Sequence, residues 1–397
     1  MTSTVKRPGG MNFKLEMEHQ MLKDLVAKFV KDKLIPLETS LLQRLATEPE
    51  LKLLPEEHAA LDEASRAIGL WGLDAPEELG GADLPVTAMV GVNEEMGKTI
   101  VPYDLPPDSP NLRMLLLAAS EEQQSRYLAP YAKGETTSAI AISEPEAGGD
   151  PSAMKTFAIR DGEDWILNGR KIWISNAADA DWTIVMALTE KGRGSRGISA
   201  FIVDKGTPGF IVERKIPMLG GHKTYEVVFQ ECRVPHTQML GGEGKGFGLM
   251  QGRLSSRRVQ MAAWCIGISQ RALDIMCQHV SQRKTFGVAL ADRQFVQGWI
   301  ADAATKIHAC RLMTYDAALR IDEGDEARTQ ISMIKVFATE MAGEIIDNAM
   351  QALGAMGMTK EMPLQQMAND VRLMRIYEGP TEVHRWVVAR NTLGTAP

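Results

Sequence analysis

Glu378 lies in the run RIYEGPTEVHR (residues 375–385), where it follows Ile376 and Tyr377 and precedes Gly379 and Pro380. An apolar-flanked carboxylate just before a glycine-proline break falls at an element end, partly desolvated, with backbone N–H groups beside it. Desolvation favours the neutral acid, so this carboxyl is expected to titrate nearer neutrality and to accept a proton more readily. The plainer reading is a surface residue capping the following helix. Arg253, Arg257 and Arg258 lie near the start of another helix, where cations are mildly unfavourable against the helix dipole. Such charges call for a partner, either an anionic ligand or a carboxylate elsewhere in the chain.

A second group of motifs suits a flat, polar-edged ligand. SEPEAGGD (143–150) leaves an expected strand and enters a turn with two adjacent glycines, where backbone can approach a ligand closely or form a plain β-turn. In KIWISN (171–176), Trp173 and Ser175 alternate onto one face of a strand. An aromatic plane beside a hydroxyl fits a heteroaromatic cofactor, although a core tryptophan is the commoner use. GGEGKGFG (241–248) lacks the Ser or Thr of a phosphate loop after Lys245 and reads as a flexible sheet-to-helix connection. RKTFG (283–287) and QALGAMG (351–357) read as helix C-caps.

The elements that must carry these residues divide the chain into three. Helical spacing covers about 15–33, ending before Pro36, then 55–68, 85–98 and 121–133, with an irregular proline-rich loop over 99–111. From 135 to 240, short β-branched and aromatic runs between Gly, Asp and Asn turns predict an antiparallel sheet or small barrel of about six to eight strands. No proline occurs from His236 through Met362, and helices are expected over 247–282, 294–323, 327–353 and 381–391. The fold class is therefore α+β, in domains 1–134, 135–240 and 241–397.

A net charge of −7 argues against a general nucleic-acid binder. The cysteines, Cys232, Cys265, Cys277 and Cys310, have neither zinc-site spacing nor disulfide density and read as reduced thiols of a cytoplasmic protein. No metal site is expected. MTSTVKRPGG is no secretory signal, residues 394–397 carry no targeting motif, and no stretch reaches transmembrane length.

Taken in order, SEPEAGGD, KIWISN, FQECRVPHTQMLGGEGKGFG (229–248), RKTFG with Gln294, QALGAMG and IYEGPTEVHR resemble the acyl-CoA dehydrogenase family of flavoproteins over nearly the whole chain. The resemblance implies an N-terminal helical domain, a middle β domain and a C-terminal four-helix bundle, with FAD between the last two. It implies that Glu378 removes the α-proton of an acyl-CoA thioester while the β-hydrogen leaves as hydride to flavin N5. The thioester carbonyl would be held by a flavin ribityl hydroxyl and the Glu378 N–H. An alternative base position in some members aligns with about Arg257, and arginine cannot act as a base at neutral pH.

By the same resemblance, Ile142, Ser143, Gly149, Trp173, Ile174 and Ser175 contact the flavin or its surroundings. Arg283, Phe286, Gln294, Gln351 and Gly354 reach the FAD of a neighbouring subunit, which implies a homodimer or homotetramer, and Thr285 and Ala355 are also expected to contact FAD. Gly149, Ser255, Arg258, Tyr377 and Gly379 fall where the family contacts acyl-CoA. Gly149 replaces a common serine, and Pro380 and Glu382 replace residues that touch the adenosine part of FAD. GGHKTYEVVF (220–229) and QGRL from Gln251 are similar to a subgroup handling long or branched acyl groups. The expected function is FAD-dependent acyl-CoA dehydrogenation with an electron-transfer flavoprotein as acceptor. An oxidase or monooxygenase, or a non-catalytic acyl-CoA binding protein, are the competing readings.

Overall fold

A computed structural model describes residues 16–394 apart from 49 and 108, and residue 109 by its backbone alone. The expectations for the N-terminal decamer, for a helix start at Leu15 and for residues 395–397 lie outside the described residues.

The first helical block holds α1 (Met17–Phe29), α2 (Glu38–Thr47), α3 (Pro55–Ala67), α4 (Val86–Met96), α5 (Ser109–Ala118), α6 (Glu121–Gln123) and α7 (Ala129–Ala132). The chain does not leave helical geometry before Pro36. A widened turn at Val30–Leu34 and a tight one at Ile35–Leu37 carry it into α2, with Pro36 in the opening of the tight turn, where its missing N–H is not needed. Helix α5 was not expected. Pro110 stands in its first turn, a position proline tolerates, so the proline cluster that reads as loop overlaps the start of the helix.

The middle strands are β1 (Ser138–Ala141), β2 (Phe157–Asp161), β3 (Asp164–Ile174), β4 (Trp182–Leu188), β5 (Ile198–Asp204), β6 (Phe210–Pro217), β7 (Lys223–Val234) and β8 (Met239–Leu240). Among the described residues they form one sheet in the order β6-β7-β3-β2-β4-β5-β8, with β1 alongside β4. The sheet is mixed rather than antiparallel throughout, since β1 and β2 both run parallel to β4. They follow one edge of β4 in succession, Ser138 opposite Trp182 and Phe157 opposite Leu188. The SEPEAGGD turn is thus an excursion between two pieces of one strand path, which keeps its direction on return.

Strands β4 and β5 are covered on both faces. Trp182, Ile184, Met186, Ala200 and Ile202 pack with α5 and α7, and Val185, Ala187, Phe201 and Val203 pack toward β3 and β7. Their near-continuous apolar runs follow from that double burial.

The last block is α8 (Gly246–Gln282), a small hairpin of β9 (Lys284–Thr285) and β10 (Val288–Ala289), α9 (Gln294–Asp322), α10 (Arg328–Leu353), α11 (Pro363–Met374) and α12 (Thr381–Thr392). Helix α11 was also missed. It opens on Pro363 and buries Leu364, Met367, Val371 and Met374, an amphipathic stripe lying between two stronger motifs. The GGEGKGFG connection is closely packed: a Cβ on Gly246 would lie 2.6 Å from the Ser199 carbonyl carbon. No helix among the described residues is long and apolar enough to cross a membrane.

Helix α8 carries the arginine cluster, and its height is set by backbone contact with α4. A Cβ on Gly267 would meet the Glu94 carbonyl oxygen at 2.0 Å, and one on Gly97 would meet the Trp264 carbonyl oxygen at 2.4 Å. Gly267→Ala is expected to cost about 1–3 kcal/mol through overpacking, read as a lower thermal midpoint. An unchanged midpoint contradicts this contact.

Candidate active site

A cleft of about 1980 Å³ is lined by elements of all three blocks. Drug-sized ligands occupy sites of roughly 300–1,000 Å³, so there is room for a cofactor and a long substrate together. Ile142, Ser143, Gly149, Trp173, Ile174, Ser175, Ser255, Arg258, Tyr377, Glu378, Gly379 and Pro380 all border it. Ile174 turns its side chain into the core behind the sheet. Arg283, Thr285, Phe286 and Gln294 gather instead at the β9–β10 hairpin and the start of α9, with Phe286 98% exposed. Gln351, Gly354 and Ala355 are exposed where α10 ends, and Glu382 is exposed at the start of α12.

Glu378 is the nearly buried centre of one wall. Its backbone φ of 57° is left-handed, an uncommon state for a residue with a Cβ, and the surroundings hold it there. Its carbonyl oxygen accepts from Arg258 Nε at 2.9 Å and bonds His384 Nε2 at 3.2 Å. The next carbonyl, of Gly379, accepts from the buried Lys335 Nζ at 2.6 Å. Among the described residues no backbone carbonyl accepts from the Glu378 N–H. Its carboxylate Oε1 accepts from Arg253 Nη1 at 2.9 Å, the pair having side chains 10% and 12% exposed. Arg253 is itself oriented by Asn111, whose Oδ1 accepts from Nε at 2.9 Å while its amide donates to Ser138 Oγ.

Glu378 is the carboxylate that the arginine cluster called for. The expectation of a raised carboxyl pKa is overturned. Burial does push it up, but the charge and hydrogen bond of Arg253, with the charges of Arg257 and Arg258, hold it below its ordinary value. The same crowd of cations acts on its members. Burial and Arg258 lower Lys335 to about 8, and burial, Arg258 and Lys335 lower His384 to about 4, so His384 is neutral at pH 7. Arg258 falls to about 10 through burial and Arg253, against the pull of Glu378.

The sheet wall rests on a second buried pair. Lys171 Nζ donates to Glu144 Oε1 at 2.8 Å and to the Ile142 carbonyl at 2.9 Å. Glu144 also accepts from the N–H groups of Lys155 and Thr156, which pins both ends of the SEPEAGGD excursion. Burial lowers Lys171 to about 8 against the attraction of Glu144, so it stays mainly charged at neutral pH. Beyond Lys171 the pairing of β3 with β7 slips, and Trp173 takes a φ of 63°. This bulge leaves Trp173 50% exposed in the cleft, beside the exposed Ser175. Thr224, on the strand paired with β3, lines the cleft with a buried hydroxyl that has no hydrogen-bond partner among the described residues. An open aromatic face with hydroxyls beside it fits a flavin.

Two departures noted in the sequence are neighbours in space. A Cβ on Gly149 would stand 3.4 Å from Pro380 Cγ and 3.5 Å from Val383 Cγ2, so the proline occupies the ground beside the glycine. Asn111, Glu144, Lys171, Lys335 and His384 were missed as site residues. Only Lys171 left a signal, a lysine in phase with Trp165 and Leu167 on the buried side of a strand.

The pairing has a pH signature. The stability contributed by ionised Glu378 is present above the ordinary carboxylate range and lost as pH falls through its lowered value. Its protonated C=O infrared band, isolated against Glu378→Gln, is expected only on strong acidification. Replacing Arg253 with Gln leaves burial less opposed and moves the band's appearance to higher pH. A band that does not move contradicts control by Arg253.

The N-terminal, middle and C-terminal domain models of acyl-CoA dehydrogenase match residues 16–135, 139–232 and 244–393. The chain is similar to (R)-benzylsuccinyl-CoA dehydrogenase of Thauera aromatica, with 38% identity over 96% of this chain and 97% of that protein. Butyryl-CoA dehydrogenase of Megasphaera elsdenii superposes with a TM-score of 0.86 at 31% identity, covering 96% of this chain and 100% of the other. A FAD complex of PigA superposes with a TM-score of 0.86 at 26% identity, covering 97% and 100%. The chain belongs to the acyl-CoA dehydrogenase family, as an oxidoreductase whose cofactor is FAD.

Proposed function

We propose that this protein carries out α,β-dehydrogenation of an acyl-CoA thioester to the trans-2-enoyl-CoA, with Glu378 removing the α-proton. The observation that carries the reading is the Glu378 carboxylate, held in the same cleft as the Trp173 and Ser175 wall by a backbone turn with fixed partners. FAD, when bound, supplies the acceptor for the β-hydrogen and its electron pair. Ile142, Ser143, Trp173, Ser175 and the orphaned Thr224 hydroxyl would hold it from this chain. The exposed Arg283, Phe286, Gln294, Gln351, Gly354, Ala355 and Glu382, with Thr285, suit contacts to the FAD of a neighbouring subunit in a dimer or tetramer.

Ser255, Tyr377 and Gly379 border the thioester's place, while Arg258 orients the Glu378 backbone. The Glu378 N–H is left to polarise the thioester carbonyl as enolate charge develops, and the side chain of the same residue takes the α-proton. The Thauera relative is named for a thioester that keeps a ring and a second carboxylate, so that chemistry joins simple acyl chains among the substrates to test. Electrons then pass to an electron-transfer flavoprotein.

Glu378→Gln is expected to retain FAD and acyl-CoA while slowing flavin bleaching by roughly 10²–10⁴-fold, the usual contribution of a general base. Undiminished bleaching places the base elsewhere. Rapid reoxidation of the reduced flavin by oxygen alone, in stopped flow, would turn the reading toward an oxidase.

A further inference from the structure

Proton abstraction creates a charge problem in this cleft. Among the described residues, Glu378 is the carboxylate within ion-pair distance of Arg253. Taking up the α-proton neutralises it. Arg253 is then a nearly buried guanidinium without its paired carboxylate, a strongly unfavourable arrangement. The charged groups nearest Glu378 do not help. Arg257 and Arg258 come from the same helix and Lys335 from α10, while His384 from α12 is neutral and Glu382 is exposed at the surface. The negative charge left behind by the α-proton develops on the thioester oxygen beside the Glu378 N–H and leaves with the β-hydrogen, and an ordinary acyl chain brings only methylene groups to Arg253.

Arg253 is built to meet more than one acceptor. Its two described hydrogen bonds, to Asn111 Oδ1 and to Glu378 Oε1, use two of the five N–H donors of a guanidinium. The Asn111 amide is fixed at its other end by Ser138 Oγ, so the guanidinium keeps its aim into the cleft when Glu378 changes charge. Both Arg253 and Asn111 line the cleft. Since Glu378 must touch the α-hydrogen, a guanidinium bonded to it lies within reach of a group on the β- or γ-carbon.

We infer that Arg253 is a specificity-determining residue that binds a second carboxylate on the acyl group, making the substrate a coenzyme A monothioester of a dicarboxylic acid with its free carboxylate on the β- or γ-carbon. The substrate carboxylate takes over Arg253 and leaves Glu378 less tightly paired. It also supplies the missing counter-charge once Glu378 is protonated. The inference rests on the dehydrogenase reading and deepens it.

The test uses the FAD-loaded enzyme under anaerobic conditions with three probes: 2-benzylsuccinyl-CoA, its analogue with the free carboxylate converted to a carboxamide, and butyryl-CoA. Flavin bleaching rates and the spectral shift on binding are read for wild type, Arg253→Lys and Arg253→Met. Wild type is expected to favour the carboxylate probe over the carboxamide by at least roughly tenfold, the worth of a charged hydrogen bond. Arg253→Lys keeps part of that ratio, and Arg253→Met brings it near one. Equal handling of acid and amide by wild type overturns the inference without any variant, as does an unchanged ratio in folded Arg253→Met, or bleaching by butyryl-CoA alone. Bleaching by none of the three overturns the dehydrogenase reading itself, and the inference with it.

Discussion

Glu378 can stand in the cleft as a carboxylate because cations from two helices converge on its turn. Arg253 of α8 takes the side chain, Arg258 of the same helix takes the backbone carbonyl, and Lys335 of α10 takes the carbonyl of Gly379. The neutral His384 of α12 completes the grip. Each of these cations is costly to bury alone, and the carboxylate offsets them together. The backbone at φ 57° is a strained state for glutamate, and this many fixed partners over-determine it. Position and protonation are therefore coupled: the contacts that aim the carboxylate also weaken it as a base.

The opposite requirement governs the sheet wall. There the buried pair of Lys171 and Glu144 serves geometry rather than proton transfer, tying the Ile142 carbonyl to the return of the chain at Lys155 and Thr156. Because β1 and β2 follow one edge of β4, the SEPEAGGD excursion must leave and rejoin at fixed points, and the ion pair fixes its base. The bulge after Lys171 then turns Trp173 out of the core. The α4–α8 glycine contact sets the height of the arginine-bearing helix against the first helical block.

Much of this was legible where a single residue type forces a local outcome. The helical periodicity of α8 to α10, the glycine end of α10 and the double-sided apolar strands β4 and β5 follow from local pattern, and the sequence shows them. Helices α5 and α11 did not declare themselves, because each carries in its first turn a proline that reads as punctuation while occupying a tolerated position. The parallel edge of the sheet was hidden because two consecutive strands both pair with a third strand that follows later in the chain. In the site, the three clustered arginines called for an anionic partner, although α8 starts at Gly246 and places them beyond the first turn, where the helix dipole no longer acts. That the anion is Glu378, 125 residues away, is a fact of packing no local pattern contains. The direction of its pKa went wrong for the same reason: flanking apolar residues advertise burial, but not the guanidiniums that come with it.

The central claim is that Glu378 is the group that takes the α-proton. It is tested most directly by exchange at the α-carbon in deuterated water, with the flavin reduced beforehand so that no β-hydrogen can leave. Wild type is predicted to incorporate deuterium at the α-carbon of a bound acyl-CoA, read by mass, and Glu378→Gln to incorporate none above the uncatalysed background. Exchange that persists undiminished in Glu378→Gln would contradict the account.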